Sequence, residues 1–553
     1  MDWIDVLEVS YTVTTNGATA DIEGGKDVFS WKQLNYDISI KGDTRRLLSD
    51  VEGFVEPGTL TALMGTSRAG KTTLLDVLAQ RVGDMGIVTG NVTINGATLN
   101  ESFQRRTSYI QHQDIHMAEM TVREAFRFSA SLRQAHEVSQ DEKYAYLEKI
   151  ISILGLEDYA DAVVGIPGKG LSAEKRKRTT IGLELVARPS LLLFVDEPTF
   201  GLDSQSAWSI IKLLREFADA GQVILCTIHQ PSVTLIEQFD RLLLLVRGGR
   251  TVYFGDLGSD SQTALDYFAS YGAPLSPQGD NPAEYLLEQI GAGATGQASL
   301  DWPSVWATSE RRVIIERINH CESLGHSNLR QTSTTPMSKF ATPWLQQYLL
   351  VQKRLFVQQW RSPGYINSKL VINVFGDLFM AFTFYNEKNS IQCLQNKVFS
   401  VFTVLLLCPI LMVLVQTRLI ELRKIYDVRE KHSTCTTGAS SSLQTYWLKY
   451  RSTSSSPACA SYAGTSCSAG GATFPLDEAR SCILSLRYTR SITQPSRKRL
   501  LWFVRTLRQP LCSPSSSTRS SWISVECCSH LVSWSASGIS HTKLVHLRGL
   551  FRL

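Results

Sequence analysis

A chain of 553 residues has room for two or three domains, and its net charge of +5 conceals a split. From Ser433 onward there are 14 Lys and Arg against 3 Asp and Glu, so the first 432 residues carry a balance of −6. That acidic body argues against a nucleic-acid surface as its main business. Seven of the eleven cysteines also lie in the tail. The others, Cys226, Cys321, Cys393 and Cys408, show no metal or disulfide spacing, as a reducing cytosol or a membrane setting would leave them. The start, MDWIDVLEVS, has no basic n-region and no long apolar core, so no signal peptide is expected.

Residues 1–27 read as a polar lead-in. From Val28, alternation through Trp31, Leu34, Tyr36, Ile38 and Ile40 predicts strands, which reach a turn at Pro57-Gly58. Tyr36 and Trp31 are candidates to stack on an adenine ring, although an aromatic in a strand is more often core. The apolar run Leu60 to Met64 then predicts a buried strand ending in Gly65. Gly65-x-x-x-x-Gly70-Lys71-Thr72 fits the P-loop pattern in the strand–loop–helix setting that pattern requires. Gly65, Thr66, Ser67, Arg68, Ala69, Gly70, Lys71, Thr72 and Thr73 are therefore the expected ATP-phosphate cradle. Backbone N–H groups of the loop and of the helix N-terminus converge on phosphate oxygens. Lys71 adds a point charge at the β/γ-phosphates, and the Thr72 hydroxyl completes a Mg²⁺ shell.

Beyond that helix, residues 90–96 read as a short strand bounded by turns, and Gln111-His112-Gln113 as a loop able to reach Mg²⁺ or an attacking water. Two capping boxes, Thr121 to Glu124 and Ser139 to Glu142, open segments of helical spacing and predict a helical insert. The run Leu191 to Val195 fits a strand buried on both faces, with Asp196 and Glu197 at its C-terminal end, where open α/β sheets bind ligands. Asp196 is expected to hold Mg²⁺ through water, and Glu197 to polarise the hydrolytic water. A further buried strand, Val223 to Ile228, ends in His229, which would face the γ-phosphate. Leu242 to Val246 and Thr251 to Phe254 read as a closing hairpin.

In this order the pieces resemble the nucleotide-binding domain of an ATP-binding cassette transporter, with closest similarity to the second half of fungal full-size transporters of the pleiotropic drug resistance type in the G subfamily. Supporting stretches include Arg46-Leu-Leu-Ser-Asp50, Thr121-Val-Arg-Glu-Ala125, Arg176-Lys-Arg178 and Asn281-Pro-Ala-Glu284, and the likeness runs from about 28 to 431. The resemblance implies a signature at Leu171, Ser172, Ala173, Glu174 and Lys175, and a D-loop at Gly201 to Ser204 containing Asp203. It also implies a dimer with a second nucleotide-binding domain, in which each signature caps ATP held by the other P-loop.

Three departures stand out. Arg68 replaces a glycine that the family usually has, which stiffens a loop reliant on backbone freedom. The family's Q-loop glutamine falls on His112, between Gln111 and Gln113, and Gln113 is taken as the residue that serves catalysis and metal. The signature lacks its glycines, so this domain would supply Lys71, Asp196, Glu197 and His229 to one site and need another domain's signature.

Gln346 to Arg361 is expected to form an amphipathic connecting helix, followed by spans at about 366–386 and 397–416. Asp377, inside the first, should face protein or a cavity. Basic residues before the first span and after the second place both ends of this hairpin in the cytoplasm. Hydropathy alone also admits two buried helices of a soluble domain. After Lys431 the chain turns Ser/Arg/Cys-rich, with 27 serines in 121 residues. A disordered basic tail, an inserted segment and a shifted reading frame compete, and the abrupt switch favours the last.

The expected architecture is an α/β P-loop NTPase domain over 28–290 (an ABC nucleotide-binding domain with a helical subdomain), a linker to 345, a partial α-helical transmembrane domain over 346–431, and an irregular tail over 432–553. The expected function is ATP hydrolysis, with Mg²⁺, coupled to export of small amphipathic molecules such as drugs or secondary metabolites. The setting would be a multi-pass cell-membrane protein with its nucleotide-binding domain in the cytoplasm. Its partners would be ATP, the lipid membrane, the exported substrate and a second cassette, with no nucleic acid. Two rivals are a non-transporting ATP-binding protein, degraded or partner-dependent, and a soluble cassette ATPase.

Overall fold

The computed structural model describes residues 27–40, 43–83, 86–275, 279–292, 300–320 apart from 310 and 312, 338–383 and 416–438, with a few positions between 391 and 399. The lead-in before 27, most of the second expected span and the tail beyond 438 lie outside the described residues. The chain divides into two compact units, residues 1–468 and 469–553, and all the described residues belong to the first.

Its strands in chain order are β1 (Phe29–Ile40), β2 (Asp43–Val55), β3 (Leu60–Gly65), β4 (Gly86–Ile94), β5 (Ala97–Thr98), β6 (Thr107–Ile110), β7 (Gly165–Ile166), β8 (Lys169–Gly170), β9 (Leu192–Val195), β10 (Ile224–Thr227), β11 (Arg241–Val246) and β12 (Arg250–Asp256). The core sheet has the order β12-β11-β3-β10-β9-β6. Five neighbouring strands run parallel and β12 pairs antiparallel at the edge. The expected closing hairpin is therefore present. Strands β3, β6, β9, β10 and β11 are buried along their whole length, as continuous apolar runs in a parallel sheet require. Register brings the strand ends level: Cys226 pairs with Val195, and Val195 with Ile110. The loops after β3, β6, β9 and β10 thus leave one end of the sheet together, which is where the chemistry is expected.

A second, antiparallel sheet, β2-β1-β4-β5, lies over the first. Phe29 and Trp31 of β1 meet Phe103, Phe194 and Phe254, joining the two layers through an aromatic core. The helical insert forms as expected. Thr121 and Glu124 make both bonds of a capping box at the head of helix Val122–Arg133. Ser139 accepts from the Glu142 N–H at the head of Gln140–Ile153.

The connecting helix runs over Trp344–Trp360, and a 21-residue helix follows over Pro363–Thr383. Among the described residues no helix is long and apolar enough to cross a membrane. The side chain of Asp377 lies outside the described residues. The connecting helix and the helical segment 416–425 dock on the insert through a second apolar cluster, in which Met117, Phe128 and Leu132 lie with Leu355, Leu422 and Ile425. Arg354 and Glu430 form a buried ion pair across it, and Arg361 donates to Glu124 at 2.5 and 2.7 Å. The expected change of character after Lys431 does not interrupt this packing. Cys435 is buried in the same cluster, and the Thr437 N–H donates to Gln347 Oε1 at 2.9 Å.

Candidate functional site

The P-loop leaves β3 at its C-terminal end. Gly65 has φ 152°, and a Cβ there would sit 2.1 Å from the Leu245 carbonyl oxygen on β11, so the position admits no side chain. Gly70, at φ 94°, caps helix Lys71–Leu78 without a side-chain bond to its first turn. The N–H groups at this helix start are the orphan donors that an anion satisfies. Thr66 Oγ1 is a buried hydroxyl without a hydrogen-bond partner among the described residues. An unpaired buried donor and an uncapped helix start in one loop fit a phosphate group.

The Lys71 ammonium, only 8% exposed, donates to the carbonyls of Gly65 at 2.9 Å and Thr66 at 3.3 Å. Burial lowers its pKa, while Glu197 and Asp196 act in the opposite sense.

Arg68 has φ 64° and points into solvent. The expectation that it stiffens the loop needs refinement: it adopts the left-handed conformation a glycine would supply. That conformation costs a non-glycine residue about 1 kcal/mol, close to what glycine forfeits in unfolded-chain entropy. Arg68→Gly is therefore expected to leave thermal stability and ATP affinity nearly unchanged. Arg68→Val, β-branched at positive φ, is expected to cost about 2 kcal/mol in denaturant unfolding.

Asp196 follows β9, is buried, and accepts on Oδ1 from Thr72 Oγ1 at 3.2 Å and from Thr227 Oγ1 at 2.8 Å. Burial raises its pKa, and the two hydroxyls partly offset that. The same Thr227 Oγ1 accepts from the Glu197 N–H at 2.8 Å. Glu197 is itself held at φ 43°, the kind of uncommon backbone that concentrates at functional sites. Thr227 carries no signal of this role in the sequence. It lies within β10, and its role appears only when β10 is placed beside β9. Thr72 and Asp196 are the right pair to hold Mg²⁺, which in nucleotide sites takes few protein ligands and several oxygens from water and phosphate. Among the described residues no group of three or more His, Cys, Asp or Glu side chains is placed to hold a metal ion.

The loop after β6 departs from expectation. The structure brings His112, not Gln113, to the carboxylate: His112 Nδ1 lies 3.3 Å from Glu197 Oε2. Gln113 is exposed, and Gln111 donates through Nε2 to the Val428 carbonyl at 2.5 Å. His229 is exposed just beyond β10, at the same end of the sheet.

Tyr36 requires a correction. It is 7% exposed, and its ring fills the space where a Cβ on Gly86 would lie, so it is core rather than an adenine platform. Trp31 is fully buried and offers no face either.

The signature segment precedes helix Ala173–Leu185. Leu171 is buried, Ser172 and Ala173 are exposed, and Ser172 Oγ accepts from the Lys175 N–H at 3.4 Å. Glu174 receives the Arg178 guanidinium at 3.0 Å, and Lys175 lies over the Tyr159 ring at 3.2 Å. Asp203 caps the next helix by accepting from Ser206, which holds its carboxyl below the usual range.

Residues 48–200 match the family described as ABC transporter, and residues 229–306 match the ABC-2 type transporter family. Among the described residues the second match falls on β11, β12 and the helices Val233–Ile236, Gln262–Ser270, Pro282–Gln289 and most of Trp302–Thr308. The chain is 55% identical over 417 residues to the Brefeldin A resistance protein of Schizosaccharomyces pombe, covering 74% of this chain and 27% of that protein. Several other fungal relatives bear the name ABC multidrug transporter. One of these, ABC multidrug transporter MDR3 of Trichophyton rubrum, is 52% identical over 427 residues, covering 76% of this chain and 28% of that protein. The chain thus spans a little over a quarter of the length of the curated relatives it matches. Among solved structures, an ATP binding subunit of an ABC transporter is similar at 24% identity and TM-score 0.37, covering 47% of this chain and 98% of that one.

Proposed function

We propose that this chain is the ATP-hydrolysing cassette of a membrane exporter of the pleiotropic drug resistance type, corresponding to the second half of such a transporter. The observation that carries this reading is the network joining Thr72, Asp196, Thr227 and Glu197 beside the Lys71 loop. In a nucleotide-bound state, Lys71 exchanges its carbonyl partners for phosphate oxygens, and the helix start donates its free N–H groups to the same anion. Thr72 and Asp196 would hold Mg²⁺, which would supply positive charge against that developing on the phosphates. Glu197 accepts a hydrogen bond from the attacking water and orients it, with His112 against its Oε2 and His229 nearby at the mouth of the site. The signature and Asp203 face outward to serve a second cassette across a dimer.

Export of amphipathic molecules across a cell membrane, with this unit cytoplasmic, completes the reading. Inside-out vesicles carrying the full chain test it, with a cationic amphipathic dye as the probe. ATP-dependent dye accumulation that Lys71→Met removes supports export. Phosphate release without accumulation, in the presence of functional insertion controls, favours an ATP-binding protein that moves nothing by itself.

A further inference from the structure

We propose that Lys177 is a positioning residue for hydrolysis: from the signature-bearing helix Ala173–Leu185 it fixes the loop after β6 and so sets His112 against Glu197. The proposal rests on the hydrolytic reading of the site for its consequence, but not for its geometry.

The Lys177 ammonium is only 1% exposed. A buried cation is costly unless its donors are used, and a lysine that merely shed water would extend its flexible stem to the surface. Instead, Nζ donates to the carbonyls of His112 at 3.0 Å and Gln111 at 3.4 Å, and pairs with Asp114 Oδ1 at 3.1 Å. Three partners match the three donors of an ammonium, and all belong to one four-residue segment. Thr180, one turn further along the same helix face, donates to Asp114 Oδ1 at 2.6 Å. The helix therefore grips the loop by both its backbone and its acidic side chain.

What the grip controls is the imidazole. With carbonyls 111 and 112 fixed, the His112 ring is directed between Glu197 Oε2 at 3.3 Å and the ring of Phe200 at 4.4 Å between centroids. Phe200 is 65% exposed, so it holds only one face of that ring, and the Phe200 N–H returns to the Glu197 carbonyl at 3.2 Å. The exposed Phe200 ring, packed on one face, would not hold the half-buried imidazole in place were the loop backbone free to shift. A displacement near 1 Å suffices to cost about a hundredfold in rate.

The experiment uses the full chain with Lys177→Met, Lys177→Arg and His112→Ala. Lys177→Met is expected to lower kcat by about tenfold to a hundredfold while leaving ATP affinity within about twofold, because the P-loop is untouched. On a His112→Ala background, Lys177→Met should add less than about twofold, since both act through one contact. A second readout needs no turnover. With ¹³C-labelled histidine, Glu197→Gln should shift the His112 resonance in the otherwise native chain and leave it in place once Lys177 is methionine. Lys177→Arg, which keeps the charge but not the three-way geometry, should show both effects in weaker form and serves if methionine prevents folding. Additive kinetic losses, or an undiminished Glu197→Gln shift in the Lys177 variants, would overturn the proposal. Absence of any ATP hydrolysis by the native chain would instead defeat the hydrolytic reading, and the resonance test would still decide Lys177.

Discussion

Lys71→Met is expected to weaken ATP binding by tenfold to a hundredfold and to remove hydrolysis altogether. The magnitude follows from losing a charge-assisted hydrogen bond, worth about 1.5–3 kcal/mol. Lys71 is well placed to provide it. Its ammonium is buried and already turned onto the Gly65 and Thr66 carbonyls, so it lines the cradle before any phosphate arrives. Burial lowers its pKa, but Glu197 and Asp196 lie close enough to favour the charged form. Methionine has nearly the same reach and no charge, so folding should survive. Equilibrium binding of a fluorescent ATP analogue, beside a thermal melt, separates the two effects.

Asp196→Asn is the second large expectation: about a hundredfold loss of Mg²⁺-dependent hydrolysis, with no loss of stability. The functional half rests on charge, since asparagine retains an oxygen for Thr227 and Thr72 but cannot neutralise a divalent cation. The stability half follows from the direction of the pKa shift. Burial raises the Asp196 pKa in the folded state, so the folded chain binds this proton more tightly than the unfolded chain. Its contribution to stability is therefore present below the unfolded pKa and falls as pH rises through the raised folded value. At neutral pH the carboxylate costs stability, and a neutral amide removes that cost. A Mg²⁺ titration of phosphate release, with melts of both proteins, checks both halves.

The site was legible where its chemistry is local in sequence. Gly65, Gly70, Lys71 and Thr72 sit on one strand–loop–helix turn, and Asp196 with Glu197 on one strand end, so spacing alone was enough. What escaped depends on neighbours far along the chain. Thr227 is an ordinary strand threonine until β10 is laid beside β9. Alternation in β1 marks Tyr36 as strand, but whether its ring meets solvent is decided by Gly86 on β4, 50 positions later. Three consecutive polar residues, Gln111, His112 and Gln113, carry no periodicity that says which turns toward Glu197. The Lys177 ammonium, arriving from another element, fixes the backbone there.

The part of the chain after residue 343 shows the same division. A helix was expected over Gln346 to Arg361, and the structure has one over Trp344–Trp360. Its docking was not readable, because it relies on Arg354 meeting Glu430 and Leu355 meeting Met117 across long separations. Composition after Lys431 changes abruptly, yet Cys435 is small and apolar enough to fill a gap in that cluster. Burial there follows from shape rather than from pattern.

The most direct measurement of the central claim compares native chain and Glu197→Gln in one preparation, reading Mg·ATP binding and phosphate release. The variant is expected to bind Mg·ATP as tightly as the native chain, because Lys71, Thr72 and Asp196 are unaltered, and to release phosphate at least about a hundredfold more slowly. Equal rates of phosphate release from the two proteins would contradict the assignment of Glu197 and, with it, the hydrolytic site built around Lys71 and Asp196.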